Sequence, residues 1–257
     1  MTPPNAGRTA RERARAELTR EIKEEARRQL ATSGADGLSL RAVARALGMV
    51  SSALYRYFPS RDDLLTALII DAYDAIGTAA EKAIAAVPDA APGERMLDRW
   101  RAFCRAVRSW ALAHPHEYAL IYGSPVPGYR APEATIGPAS RVPAALVSVF
   151  RDVPAGEGDP VLGEGVLTEQ AAAAAAALAE YNNSEAGPAV PADVLVRGVI
   201  AWTQVFGMVS FELNGQFVNS FDPSDAFFEY AIAQMAAFVA GGTAGNSGVA
   251  ARFLHVR

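Results

Sequence analysis

The N-terminal part of the chain carries an apolar residue at every fourth position, with mostly charged residues between them. The apolar positions are Leu18, Ile22, Ala26 and Leu30. This spacing predicts one amphipathic helix, which is expected to end near Gly34. Asp36 and Gly37 then predict a turn, and Ser39 is placed to cap the next helix.

A second and a third helix are predicted directly after that turn, joined by another tight turn. In the helix from Leu40 to Ala46, the small side chain of Ala44 lets a neighbouring helix approach, and Gly48 gives the following turn its backbone freedom. Ser51 is placed to cap the next helix, which Pro59 cannot continue. The sequence therefore predicts two short helices that cross closely.

The third helix is predicted to have an apolar inner face and a polar outer face. Leu54 and Phe58, four residues apart, are expected to face inward. Ser52, Tyr55 and Arg56 are expected to face outward, and such hydroxyl, aromatic and cationic groups suit the major groove of DNA. The pattern indicates a helix-turn-helix that binds DNA; a purely structural helical hairpin in a globular core is the alternative.

Charge is unevenly distributed along the chain. Residues 1–63 contain twelve Arg or Lys against eight Asp or Glu, a net of +4, whereas the whole chain has a formal charge of −4. Such asymmetry is expected when one end of a protein meets a polyanion. Four arginines begin this basic region and form either a solvated arm or an arm that follows phosphates or enters the minor groove. They are Arg8, Arg11, Arg13 and Arg15.

A family resemblance supports this interpretation. The run ALGMVSSALYRYFPSRDDLL, preceded by a basic helix and the segment GADGLSL, resembles the N-terminal domain of the tetracycline-repressor (TetR) family of bacterial transcription regulators. The resemblance covers about residues 15–70, and LYRYFPSRDDLL is its most diagnostic part. It implies a three-helix DNA-binding domain followed by a larger helical domain that binds a ligand and dimerises.

The resemblance also implies DNA contacts for seven residues. They are Ser39, Arg41, Ser51, Ser52, Tyr55, Tyr57 and Arg61. Ser39 would cap the first motif helix and touch a phosphate, and Arg41 would lie near the backbone or a base edge. The two later serines would begin the reading helix. Tyr55 and Tyr57 would contact the DNA backbone, and Arg61 would grip a phosphate at the start of the following helix.

Two positions depart from the pattern of the family. Val50 stands where a serine is common, and Ser52 stands where a glycine is common. The first change puts one polar contact in question. The second implies that the backbone approaches DNA less closely at this point.

The rest of the chain is rich in Ala and Leu and has few alternating runs of strand-forming residues, so we expect an all-α protein. Further helices are predicted at residues 61–87, 93–113, 115–122, 141–150, 192–214 and 224–239, and the alanine run 171–177 favours another. The predicted domains are a helix-turn-helix domain with a basic arm at 1–64, a ligand-binding and dimerisation domain at 65–242, and a flexible tail at 243–257.

The second domain is expected to sense a small molecule. Trp110, His114 and Gly123 resemble the signature of a subgroup of TetR-like C-terminal domains named for Trp-His-Gly, whose ligands are diverse. Aromatic residues in this region form either a plain core or the wall of an apolar cavity. The candidate ligand-binding residues are Trp100, Phe103, Trp110, Tyr118, Tyr122, Trp202 and Phe206.

The helix predicted from Ala192 to Asn214 has apolar residues on more than one side, so it needs more than one packing partner. With the helix from Ser224 to Val239 it predicts a four-helix interface between two subunits, although burial within one subunit is the alternative. A homodimer would present two DNA-reading heads to a near-palindromic operator. The predicted function is a transcriptional repressor that a small apolar effector releases from operator DNA.

Other classes of function receive less support from the sequence. No nucleophile elbow, paired-carboxylate motif or phosphate-binding glycine loop is present, and Cys104 is the single cysteine, so no enzyme, metal site or cofactor is expected. No secretory signal or long uninterrupted apolar run is found, which predicts a cytoplasmic protein without a membrane span. A helical ligand-binding protein or enzyme, and a transcriptional activator, remain the competing hypotheses.

Overall fold

A computed structural model describes residues 6–151, 153, 165–181 and 190–241. Over these ranges the chain forms ten α-helices and one short 3₁₀ helix, with no β-strand, which confirms the predicted all-α fold. The helices are α1 (Ala6–Ser33), α2 (Leu40–Ala46), α3 (Ser51–Leu54), α4 (Arg61–Ala85), α5 (Pro92–Ala113), α6 (Pro115–Tyr122), α7 (Ile136–Phe150), α8 (Val166–Tyr181), α9 (Ala192–Leu213) and α10 (Asp225–Val239).

The chain divides into two compact units. The first contains the residues up to Tyr73 and the segment His114–Thr135, and the second contains Asp74–Ala113 and the residues from Ile136 onward. The division falls within α4. The first unit thus includes α6 as well as the three N-terminal helices, whereas the domain boundary after residue 64 stays a prediction. The tail predicted at 243–257 lies outside the described residues.

The first unit has a continuous apolar core to which each N-terminal helix contributes. Fully or almost fully buried side chains come from α1, α2, α3, the segment after α3 and the start of α4. They include Ile22, Ala26, Leu30, Val43, Ala44, Leu54, Phe58, Leu64, Leu65 and Leu68. The four-residue spacing in α1 and the inward positions of Leu54 and Phe58 are therefore confirmed.

Two glycines make the turns that separate these helices. Gly34 has φ +67° directly after α1, and Gly48 has φ +66° directly after the last turn of α2. A residue with a Cβ rarely adopts this left-handed conformation, so each glycine supports a sharp change of chain direction. At the start of α2, the Ser39 hydroxyl oxygen accepts a hydrogen bond from the Ala42 N–H at 3.4 Å, which confirms the predicted cap.

The start of α3 differs from the prediction. Val50 is the capping residue, with an extended backbone and no side-chain cap, and Ser51 is already the first helical residue. The cause lies in the preceding turn, where the Met49 N–H donates to the Ala44 carbonyl at 2.8 Å and the chain enters the helix one residue early. The prediction that Ser51 caps this helix was wrong.

In the second unit, α5 supplies the centre of the core. Its buried residues lie on one face, as predicted, and are Met96, Trp100, Phe103, Cys104, Val107, Trp110 and Ala111. The Trp100 indole N–H donates to the Ile232 carbonyl of α10 at 2.7 Å, so the buried ring also satisfies its polar atom. Burial raises the pKa of the Cys104 thiol, as expected for a cysteine that packs as a small apolar residue.

Arg141 of α7 binds the part of α4 that belongs to the second unit. Its guanidinium donates to the carboxylates of Asp74 and Glu81 at 2.6–2.9 Å and to the Thr78 hydroxyl at 2.9 Å. Gly77 makes room for this side chain, because a Cβ there would lie 2.8 Å from the Arg141 Cβ. The missing side chain at Gly77 thus permits a close contact between the two helices.

Most predicted helix ends agree with the structure to within two residues, and α6 has the bounds that were predicted. There are two exceptions: α3 ends at Leu54, four residues before Phe58, which the prediction placed on the same helix, and α7 begins at Ile136, five residues before the prediction. The prediction left residues 136–140 outside the helix, but Pro138 fits in its first turn, because a proline there loses no hydrogen bond. Pro143 lies inside the same helix. The alanine run at 171–177 forms part of α8, as predicted.

One described helix, α9, is long and apolar enough to cross a membrane by length and composition. It packs against α5, α7, α8 and α10 of the second unit, and its Gly198 lies against the ring of Phe150. Core helices pass the same test of length and composition. The contacts of α9 therefore account for part of its apolar character.

Candidate nucleic-acid interface

The exposed surface of the helix-turn-helix is formed by α3 and the turn that follows it. Ser51, Ser52, Tyr55 and Arg56 are exposed, whereas Leu54 is fully buried. Three of these exposed positions were assigned to the outer face from the sequence. Their hydroxyl, phenol and guanidinium groups can donate hydrogen bonds to phosphates and to base edges.

Helix α2 adds two exposed arginines to this part of the first unit. Arg41 and Arg45 are one helical turn apart and are both exposed. Ser39 at the start of α2 is half-buried, and its backbone N–H donates to the Gln29 side chain at 3.3 Å. Its hydroxyl oxygen is already engaged as the helix cap, although the hydroxyl proton remains available to an acceptor such as a phosphate.

The cations of the first unit fall into two groups by their partners. The first group binds carboxylates: Lys23 and Arg27 both contact Asp71 at 2.6–2.8 Å. Arg20 pairs with Glu17 and Glu24, and the Arg28 guanidinium binds Glu25. These ion pairs join α1 to α4 or lie along α1 itself, so they neutralise much of the positive charge of this helix.

The second group consists of exposed arginines that have no carboxylate partner among the described residues. They are Arg11, Arg13, Arg15, Arg41, Arg45, Arg56 and Arg130. An exposed arginine without an internal partner keeps its full charge and its five donors for an external anion. Three of the seven lie on α2 or just after α3, which are the elements of the helix-turn-helix.

Arg61 occupies an intermediate position between the two groups. One of its terminal nitrogens donates to the Ala35 carbonyl at 2.7 Å, and the other lies 3.5 Å from Asp62. The side chain therefore ties the start of α4 to the turn between α1 and α2. Its contact with a DNA phosphate stays a prediction, and it would have to use the donors that these bonds leave over.

Tyr57 is not simply an exposed contact residue. Its side chain is half-buried and packs against the core of the first unit, and the guanidinium carbon of Arg15 lies over its ring at 5.6 Å from the centroid. This distance is within the range of a cation–π interaction. Tyr57 therefore joins α1 to the reading segment, which consists of α3 and the turn that follows it (residues 51–57).

Comparisons with known proteins agree with this geometry. A family model described as bacterial regulatory proteins of the tetR family matches residues 22–68, and one described as a tetracyclin repressor-like C-terminal domain matches residues 100–235. The second match spans more than half of the chain. The chain belongs to the TetR family. It is thus a helix-turn-helix transcriptional regulator that binds DNA.

Individual relatives point in the same direction. HTH-type transcriptional regulators of Mycobacterium bovis and Mycobacterium tuberculosis are each 41% identical over 213 residues, which is 79% of this chain and 84% of the relative. The crystal structure of the regulatory protein SCO4313 is similar with a TM-score of 0.67 and 35% identity, over 87% of this chain and 97% of that one. A Rhodococcus sp. RHA1 protein of unknown function shares the fold, with a TM-score of 0.59, 24% identity and coverage of 87% and 94%.

The seven aromatic residues predicted to bind a ligand in this TetR protein are divided between the units. Tyr118 and Tyr122 belong to the first unit, where their rings lie 5.2 Å apart and Tyr73 meets Tyr122 edge-on at 6.0 Å. Burial raises the pKa of the Tyr122 phenol, so this side chain is neutral at ordinary pH. Contact of either tyrosine with a ligand stays a prediction.

The other five aromatic residues belong to the second unit. Trp100 and Phe103 are fully buried and stacked on each other at 6.3 Å, as expected of core residues. Trp110 and Phe206 are also buried. Trp202 is half-buried, meets Phe206 edge-on at 5.7 Å, and has a buried indole N–H without a hydrogen-bond partner among the described residues. Within this group, Trp202 is therefore the strongest candidate for a ligand contact.

Arg45 was not among the residues that the sequence linked to DNA binding, whereas Arg15 was placed in the basic arm and Arg56 on the outer face of the third helix. The usable signal was the helical spacing of Arg41 and Arg45, which places both on one side of α2 once Val43 and Ala44 are assigned to the core. The contact between Arg15 and Tyr57 joins residues far apart in the sequence. No local pattern could have revealed it.

We expect the unpaired arginines to contribute to DNA affinity and the paired ones not to. Arg45→Gln and Arg56→Gln should each weaken binding by about tenfold, because each removes a charge-assisted contact worth about 1.5 kcal/mol. The measurement is an electrophoretic mobility shift with a duplex selected by the full chain from a random library.

Arg20→Gln is the matched control, since Arg20 is also exposed but pairs with Glu17 and Glu24. It should bind the same duplex as tightly as the wild type does. Equal losses of affinity for all three variants would show that carboxylate pairing does not distinguish the arginines that bind DNA.

Proposed function

We propose that this TetR protein is a homodimeric repressor, released from its operator by a small apolar effector that binds the second unit. The observation that carries the dimer is an exposed apolar surface on α9 and α10. The proposal places the protein in the cytoplasm and assigns it neither catalysis nor a cofactor. Its DNA-binding part rests on the family and on the exposed helix-turn-helix.

Helices α9 and α10 pack on each other and leave several large apolar side chains exposed. On α9 these are Val199, Ile200 and Phe211, and on α10 they are Tyr230 and Phe238. Phe211 and Tyr230 are 56% and 58% exposed. Apolar side chains grouped on one pair of helices indicate an interface. A second copy of the chain fits it, because a two-fold pair doubles the contacts of a reading helix only four residues long.

Gly207 supports the same interface. It lies in the middle of α9 on the exposed face, and a Cβ built there meets nothing within 4 Å. A glycine inside a helix costs about 1 kcal/mol relative to alanine, and no packing within the described residues explains this cost. Close approach of α9 from a second copy would use the space.

A charged substitution on the exposed apolar surface of α9 tests whether the protein forms a dimer through this surface. Ile200→Glu should convert the protein from dimer to monomer at micromolar concentration, because burying an unpaired carboxylate at the interface is unfavourable. Sedimentation velocity measures the change. Val166→Glu on α8 is the control, because Val166 is also β-branched and is 69% exposed. A dimeric Ile200→Glu variant or a monomeric wild type would contradict the proposal.

The buried indole N–H of Trp202 supports the proposal that an effector binds the second unit. A buried N–H without a partner costs about 1–3 kcal/mol, and a bound molecule with an acceptor oxygen would relieve this cost. The neighbouring Phe206 ring offers an apolar contact. An apolar molecule carrying one carbonyl, ether or hydroxyl oxygen therefore fits this position.

Repression is tested by transcription in vitro. The selected duplex is placed across a promoter, and the full chain is added with RNA polymerase. We expect the transcript to decrease, because the bound dimer blocks the polymerase, and the selected sequence to contain two inverted half-sites about 34–36 Å apart. An organic extract of the purified protein, added as the effector source, should restore transcription.

Each step has an outcome that would contradict it. An increase in transcript would indicate an activator. A single half-site in the selected sequence would contradict recognition by a dimer. If the extract restores transcription equally for Trp202→Phe and the wild type, the assignment of Trp202 to the effector site is wrong.

A further inference from the structure

We propose that Arg15 of α1 contacts a DNA phosphate and that the ring of Tyr57 holds it in position to do so. The inference rests on the DNA-binding function of this TetR protein and names a contact outside the helix-turn-helix itself. Arg15 would then be a binding residue, and Tyr57 would be a positioning residue at the end of the reading segment.

The geometry begins with Tyr57. This residue follows the exposed Tyr55 by two positions, and its N–H donates to the Leu54 carbonyl at 2.9 Å, which keeps the turn after α3 closed. Its side chain packs partly against the core. The ring is therefore a fixed platform next to the exposed residues of the reading segment, and the Arg15 guanidinium lies over it at 5.6 Å.

The surrounding charges distinguish Arg15 from its neighbours. Arg15 lines a surface groove of about 480 Å³ together with the carboxylates of Glu12 and Asp71 and the cations of Arg20, Lys23 and Arg27. In that groove Asp71 binds Lys23 and Arg27, and Arg20 binds carboxylates of α1. Arg15 has no carboxylate partner within the described part of the chain. Its positive charge is therefore left for an anion from outside.

The chemistry of the pair favours a phosphate as that anion. A cation–π contact with an aromatic ring occupies none of the five guanidinium N–H donors in a conventional hydrogen bond, so these donors stay available. Phosphate oxygens accept such donors in pairs. The contact with the ring also restricts the flexible side chain before DNA arrives, so less conformational entropy is lost on binding.

The alternative is that the pair only stabilises the first unit. The two roles differ in their dependence on salt, because each phosphate that the protein neutralises releases bound counterions from DNA. Removing one such cation from the interface reduces the slope of log affinity against log salt by about 0.9. A purely structural pair would change the stability of the protein and leave this slope unchanged.

The experiment measures affinity by fluorescence anisotropy between about 50 and 200 mM KCl. It uses the full chain, the duplex selected from a random library and an unselected duplex of equal length. Arg15→Gln should weaken binding to both duplexes by about tenfold and lower the salt slope by about 0.9 for each phosphate that Arg15 neutralises. A phosphate carries no base sequence, so both duplexes should respond alike.

Variants of Tyr57 test the positioning role. Tyr57→Phe keeps the ring and should bind with the wild-type salt slope, whereas Tyr57→Leu removes the platform and should lower affinity towards that of Arg15→Gln. The double variant with Tyr57→Leu and Arg15→Gln should then bind no more weakly than Arg15→Gln does. Additive losses of affinity would overturn the positioning role. The phosphate assignment is decided by Arg15→Gln alone, because that side chain is exposed.

Arg28→Gln is the control on the same helix. The Arg28 side chain is 64% exposed and pairs with Glu25, so its replacement should leave affinity and slope unchanged. An unchanged slope for Arg15→Gln, or a loss of affinity confined to the selected duplex, would overturn the phosphate assignment. Failure of the wild type to bind either duplex would instead overturn the DNA-binding function, and this assignment with it.

Discussion

The burial of Leu54 and Phe58 is the interaction on which the DNA-reading surface depends. Helix α3 has only four residues, which is far too short to be stable alone. Its conformation comes from these two side chains, which are 0% and 7% exposed in the core of the first unit. Their burial leaves Ser52, Tyr55 and Arg56 outward. The small, buried side chain of Ala44 allows the close approach of α3, and Gly48 allows the turn that brings α3 there.

The pairing of charges also divides the cations of the first unit into those with a carboxylate partner and those without one. The cations of α1 that face α4 form ion pairs with Asp71. The exposed arginines of the helix-turn-helix have no carboxylate partner within the described ranges. The unpaired cations of residues 1–63 therefore lie on the helix-turn-helix and on the first half of α1. In the second unit, large apolar side chains on α9 and α10 are exposed. The partner proposed for them is another copy of the chain.

Much of this organisation could be predicted from the sequence, because it follows from helical spacing and turn chemistry. The core face of α1, the Ser39 cap, the turn at Gly48 and the bounds of α6 are examples. The predictions that failed have local causes. A backbone turn moved the cap of α3 from Ser51 to Val50, and Pro138 fits in the first turn of α7, which begins before the predicted helix. The hydrogen bond from Arg61 to Ala35 and the cation–π contact of Arg15 with Tyr57 depend on tertiary contacts.

We infer that carboxylate pairing separates structural arginines from those that bind DNA. Side-chain Nε–H resonances of the full chain, recorded while the selected duplex is added, test it residue by residue. The resonances of Arg15, Arg45 and Arg56 should shift in proportion to bound DNA, whereas that of Arg28 should not move. A shift of the Arg28 resonance, with no shift of the other three, would contradict this separation of the arginines.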